Sequence, residues 1–262
     1  MRALVETGAL AGERGAYRLV DPAAIPRVPA TVQAALASRI DRLPSDDKAL
    51  LQSAAVIGKD IPYPLLRVIA ERDVEALLRG LAQSQTAEFL YEASLFPELE
   101  YTFKPALTHE VAYGSVLQER RRALHARVMA AIETQAAGRL DEQVEGLAYH
   151  DFRGELWEQA AEYGRRAGLR ALARNASGEA HTQFEGALAA LDHLPDRRET
   201  RELAVDLPFL LSRALSSLGE REQRLAAVSR AAAAAEALGD PIRLARILGS
   251  LAFALDLTAD GP

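Results

Sequence analysis

The chain has 262 residues, 49% apolar and 26% charged, with 31 basic against 37 acidic side chains and a formal charge of −6. That balance excludes an overall basic field able to recruit nucleic acid or an anionic membrane, and zero cysteines exclude a disulfide scaffold and cysteine-based zinc or redox chemistry. No apolar run reaches the length of a membrane span, and Met1-Arg2-Ala3-Leu4-Val5-Glu6 does not open an apolar signal segment. Abundant alanine with only 6% aromatics suits packed helices better than a sheet, so the expectation is a cytoplasmic, mainly α protein.

The first thirty residues are irregular. Arg2 to Thr7 has the makings of a helical turn, Gly8, Gly12 and Gly15 interrupt it, and Asp21 to Pro29 is punctuated by prolines. So short an element cannot bury its own apolar face. It is either a frayed terminus or the remnant of something larger.

From Thr31 helical spacing sets in. Val32, Leu36, Ile40 and Leu43 share a face, and Pro44 closes the run. Asp46 and Asp47 then sit where a first turn favours carboxylates, ahead of Leu50, Leu51, Ala54, Ala55 and Ile57. A short helix follows Pro62 or Pro64, and another follows Asp73 with Val74, Leu77, Leu78 and Leu81. Glu88 to Glu92 and Glu100 to Lys104 read as aromatic-bearing strands around a turn at Pro97. Short helices followed by a small hairpin is the order of a winged-helix domain, and a generic α+β domain is the alternative. Pro105 is suited to start the next helix. Leu107, Val111, Leu117, Leu124, Val128 and Ile132 predict one continuous stripe to about Thr134.

The remainder predicts helix after helix, with connections at Arg153-Gly154, Asn175, Leu194-Pro195, Gly219 and Gly239-Asp240-Pro241. Gly168, followed by Ala180, Phe184 and Ala187, matches the small and aromatic positions of a tetratricopeptide repeat. Leu215, Ala227, Ala231 and Ala234 restate the pattern 47 residues on, which implies an insertion around Pro195 to Asp206, and Gly249 stands 34 residues beyond Leu215. Pro262 follows a single helix of that third unit, without the polar cap that normally closes a solenoid, so this end reads as severed. An irregular helical bundle is the alternative.

Catalytic signatures are missing. Gly58-Lys59 is the only Gly-Lys pair, but Ser53 and Asp60 stand where a Walker A needs glycine and Ser or Thr. His109-Glu110 begins a metalloprotease helix whose second histidine is replaced by Tyr113. His125, His150, His181 and His193 are scattered singly and read as polar surface or satisfied buried groups. The densest charge cluster, Arg120-Arg121-Arg122, does not share one helical face: Arg122 points away from the apolar stripe, whereas Arg121 falls near it and must snorkel or pair. A structural or interface role suits it better than phosphate binding. The third helix of the winged-helix reading carries Asp73, Glu75 and one Arg79, and its hairpin is acidic, so DNA binding is not expected.

Several ordered segments go further. Val28 to Ala34, Ser38 to Pro44, Ala54 to Lys59, Tyr101 to Lys104, Glu110 to Tyr113 and Gln118 to His125 together resemble the C-terminal half of bacterial STAND signalling ATPases. The branch they resemble is the one often fused behind a class III adenylate/guanylate cyclase domain. The resemblance implies an ATPase-lid remnant at residues 1–28, a winged helix at 29–116 and truncated tetratricopeptide-like repeats at 117–262. It places ATP, Mg²⁺ and any cyclase only in an upstream part absent from this chain.

The implied role is non-catalytic regulation, coupling a protein or peptide ligand on the repeats to the nucleotide state of that ATPase. Candidate interdomain and interaction residues are Arg39, Lys104, Pro105, Arg120, Arg121 and Arg122. Family members usually carry histidine where Pro105 stands, which weakens nucleotide sensing there. A free-standing repeat scaffold is the competing class, and a winged-helix transcription regulator ranks third.

Overall fold

The computed structural model describes residues 10–11, 18–19, 30–95, 98–104 and 106–259. The helical turn expected at 2–7, the Pro97 turn and Pro105 lie outside them. The described residues are mainly helical, with twelve α-helices and a small three-stranded antiparallel sheet. The chain divides into two compact units, Met1–Leu117 and Gln118–Pro262.

In the first unit β1 (Leu10–Ala11) pairs antiparallel with β2 (Arg18–Leu19). Helices α1 (Ala30–Asp41), α2 (Ser45–Ile57), α3 (Tyr63–Ile69), α4 (Val74–Thr86) and α5 (Ala106–Gly114) surround a sheet of β3 (Asp60–Pro62), β4 (Leu90–Ser94) and β5 (Glu100–Phe103). Helix α2 is the centre of this unit. Asp46 and Asp47 complement the dipole of its first turn, and every residue from Leu50 to Ile57 is buried. Gly80 of α4 permits close approach to it, because a Cβ there would lie 2.7 Å from Leu50 Cδ2. The Asp73 carboxylate accepts the Ala76 N–H at 2.7 Å and so caps α4.

Four differences from the sequence reading have physical causes. Val32, Val74 and Leu78 share a helical face with buried residues yet remain exposed, at its margins. Strand β3 was not anticipated: three residues ending in proline carry no alternation to read. It nonetheless completes the sheet in the order β3-β5-β4, with Ile61 opposite Tyr101 and the Thr102 hydroxyl donating to Asp60 Oδ1 at 2.8 Å. The single stripe from Leu107 to Thr134 is broken after Gly114. There the Ser115 hydroxyl donates back to Ala112 O at 2.7 Å and the Gln52 amide donates to Ser115 Oγ at 3.0 Å, competing with helix continuation. Leu117, expected on the stripe, is 78% exposed. The extra residues expected as an insertion near 195–206 are instead taken up largely in a long helix.

The second unit contains α6 (Gln118–Gln135), α7 (Val144–Arg153), α8 (Trp157–Ala173), α9 (Ser177–Leu191), the 21-residue α10 (Arg198–Leu218), α11 (Arg221–Leu238) and α12 (Pro241–Ala259). Each helix packs on its successor. Four corners close in the same way. Glu155, Asn175, Gly219 and Gly239 have φ of 58°, 60°, 77° and 70°. The following N–H returns in each case to a carbonyl five residues earlier: Leu156 to Asp151, Ala176 to Ala171, Glu220 to Leu215 and Asp240 to Ala235. Between the corners, Ala180, Phe184, Ala187, Ala227 and Ala231 are buried, whereas Ala234 of the second pair is only half-buried and Gly249, expected to open a third pair, is exposed.

Candidate interaction site

The two units place the candidate residues separately. In the first, Arg39 lies on α1, where its Nη2 donates to Ala87 O at 2.6 Å and its guanidinium stacks 4.9 Å from the Phe89 ring centre. It pins α1 to the turn before β4. Lys104 is exposed after β5, with Nζ 5.7 Å from the Tyr91 ring centre. Pro105 is not among the described residues.

In the second unit the arginine cluster is dispersed. Arg120 is exposed and Arg121 half-buried. Arg122, on the side of α6 away from its apolar stripe, donates to Glu155 Oε2 at 2.7 Å. A wheel knows one helix; the left-handed corner after α7 brings Glu155 against the outer side of α6.

That interface also brings together histidines that looked solitary in the sequence. His125 of α6 and His150 of α7 are buried with Nδ1 atoms 2.9 Å apart, so one ring donates to the other. Burial, then the neighbouring His150, Arg153 and Arg121, hold His125 down to about 3, and burial holds His150 at about 4. Asp151 is fully buried with neither carboxylate oxygen hydrogen-bonded among the described residues, and desolvation followed by the charge of Glu133 raises it to about 7. Glu133 in turn accepts the Tyr163 hydroxyl at 2.6 Å. Desolvation and that hydrogen bond push the phenol up to about 12. A separation of 25 residues hid the histidine contact; only the packing of α6 on α7 creates it. Among the described residues no group of three His, Cys, Asp or Glu could hold a metal ion.

Beside this polar cluster lies a cavity of about 230 Å³. Tyr149, Phe152 and Arg153 of α7 form one wall, and Gln183 and Gly186 of α9 the other. Ala160 and Gly164 of α8 lie between them. At its floor the small residues of α8 let α9 pack closely: a Cβ on Gly164 would meet Ala187 Cβ at 3.0 Å. Its surface is mostly apolar, with few polar groups at the margins. The volume is below the ~300–1,000 Å³ typical of small-molecule pockets, so it suits a side chain of a larger partner better than a free metabolite.

Comparison with known proteins gives limited context. No family model matches the chain, and no solved structure matches. An uncharacterized protein of Rhizobium meliloti (strain 1021) is 29% identical over 154 residues, which is 58% of this chain. The match covers 15% of that relative, a chain several times longer than this one.

Proposed function

We propose that this chain is the regulatory and protein-binding part of a STAND-type signalling ATPase. In this reading residues 29–116 are a winged helix and 117–262 are tetratricopeptide-like repeats. The repeats bind a protein or peptide, and the winged helix transmits that event to an ATPase domain encoded upstream. Ligand and nucleotide then favour different packings of one switch.

The observation that carries the reading is the packing of Gly168 against Phe184. A small residue on the first helix of a pair faces a buried aromatic on the second, with Ala180 and Ala187 buried one turn to either side. In the first unit, helices α2 to α4 precede a hairpin, and β3 adds a third strand, which fits a winged helix. Its α4 presents Glu75 and a single Arg79 that are partners of each other at 3.7 Å, an arrangement poorly suited to phosphates. The match within a much longer relative fits a module built into larger chains.

The test is the full gene product. A reading frame continuous with a phosphate loop upstream, and ATP turnover that changes on deletion of residues 118–262, support the proposal. A gene encoding no phosphate loop favours the free-standing scaffold. A duplex shifted by this chain at physiological salt favours the transcription regulator.

A further inference from the structure

One cation in the wall of the groove in the second unit has no carboxylate partner among the described residues. On α7, α8 and α9 nearly every carboxylate is already engaged. Glu145 pairs with Arg170 and Arg174, and Glu158 lies 3.4 Å from Arg197. Glu162 pairs with Arg165 and Glu179 with Arg174, while Glu185 remains an exposed carboxylate 3.4 Å from His181, a side chain that is a cation only when protonated. Asp151 is buried away from solvent, and burial favours its neutral form.

The arginines of the same helices are paired too, with one exception. Arg165, Arg166 and Arg170 each hold a carboxylate. Arg153 is exposed, lies 5.7 Å from the Tyr149 ring centre and pairs with no carboxylate among the described residues. It stands in the groove wall. Opposite it, the Gln183 carboxamide is half-buried and makes no hydrogen bond among the described residues.

We infer that the groove between α7 and α9 binds an internal segment of a partner protein, seating one apolar side chain against Ala160 and Gly164 and an Asp or Glu side chain on Arg153. The inference rests on the reading of residues 117–262 as a protein-binding array and specifies the chemistry of its ligand. The cavity supplies the apolar contact, and Arg153 supplies a planar cation that a carboxylate can meet with two hydrogen bonds. Gln183 offers both a donor and an acceptor, the complement of a peptide unit in a passing main chain. That requirement favours a continuing chain with an acidic side chain over a terminal carboxylate. Aromatic Tyr149 and Phe152 beside an arginine are also the residue types that dominate binding energy at interfaces.

The experiment selects a phage-displayed library of random peptides against the whole chain, then titrates the enriched sequence as a fluorescent peptide amidated at its C-terminus. The expected consensus is a large apolar residue with Asp or Glu one or two positions away. Arg153→Glu should weaken the selected peptide by about tenfold or more, and replacing the peptide's acid by lysine should restore binding to that variant. Gly186→Leu should also weaken it by about tenfold, because a Cβ at Gly186 meets nothing within 4 Å and the added side chain fills the groove without displacing the fold. Both variants should melt close to the parent, which separates a blocked groove from an unfolded one. No enrichment, a consensus without an acid, a need for a free C-terminus, or affinity indifferent to both substitutions each overturns the inference. These readouts involve no nucleotide, so a gene product lacking an ATPase would overturn the wider reading and leave them unchanged.

Discussion

The ring of Phe184 occupies the space that a side chain on Gly168 would need: a Cβ there would lie 2.3 Å from Cε1 and 2.6 Å from Cδ1. Phe184 is fully buried among Ala171, Leu188 and Leu211, so the ring has nowhere to retreat. Gly168→Ala should therefore destabilise the second unit by about 1–3 kcal/mol through overpacking, despite the helix propensity of alanine. Gly186→Ala, with open space around the new methyl, should gain up to about 1 kcal/mol. Urea midpoints of the two variants check the pair. Equal midpoints would mean that Phe184 does not pack as described.

Stability should depend on pH through Asp151, His125 and His150. Asp151 is raised in the folded chain to about 7 from 3.8, so its contribution is full below pH 4 and lost as pH rises through 7. The histidines are lowered to about 3 and 4 from 6.5, so theirs is present above pH 6.5 and lost on acidification. Two histidines outweigh one carboxylate between pH 4 and 6.5, and the carboxylate acts alone just above. Asp151→Asn should thus be more stable than the parent at pH 8 and lose stability more steeply on acidification. Chemical denaturation at pH 5, 6.5 and 8 shows it; an offset independent of pH would rule the ionisation out.

Removing the α4 cap should have a smaller, local effect. Asp73→Ala leaves the Ala76 N–H without its 2.7 Å acceptor and should cost about 1 kcal/mol, whereas Asp73→Ser should recover most of it. Thermal melts of the two variants are sufficient.

Arg243 anchors the last helix. Its guanidinium donates to both oxygens of Asp206 on α10 at 3.2 Å and to Asp240 at 2.8 Å, and these hydrogen bonds raise its pKa further. Arg243→Met should let α12 open locally while α8 and α9 stay protected. Hydrogen exchange should show amides of 244–250 exchanging about tenfold faster. Uniformly faster exchange across the unit would contradict a local role.

Much of the helical layout was legible because it rests on local signals: Pro44, the Asp46-Asp47 pair, Asp73, and the glycines at 219 and 239 mark ends in the sequence itself. The small and aromatic positions of α8 and α9 were legible because one helix face repeats them. Three features needed tertiary information. Strand β3 exists through its pairing with β5, the break after Gly114 involves Gln52 from another helix, and the His125–His150 contact joins two helices. The groove had no sequence signal of its own, since Arg153 acquires meaning only when the carboxylates around it prove to be spent.

The Arg122–Glu155 ion pair gives the corner after α7 a second duty. Glycine would adopt the φ of 58° at position 155 without strain, yet glycine could not reach Arg122. One residue therefore turns the chain from α7 into α8 and tethers the preceding helix, α6, to that turn. With side chains 41% and 35% exposed, the pair contributes only modestly to stability, so its weight lies in registering α6 on the corner. Glu155→Gly would remove that register while relieving the strain, and the two effects should nearly cancel in overall stability.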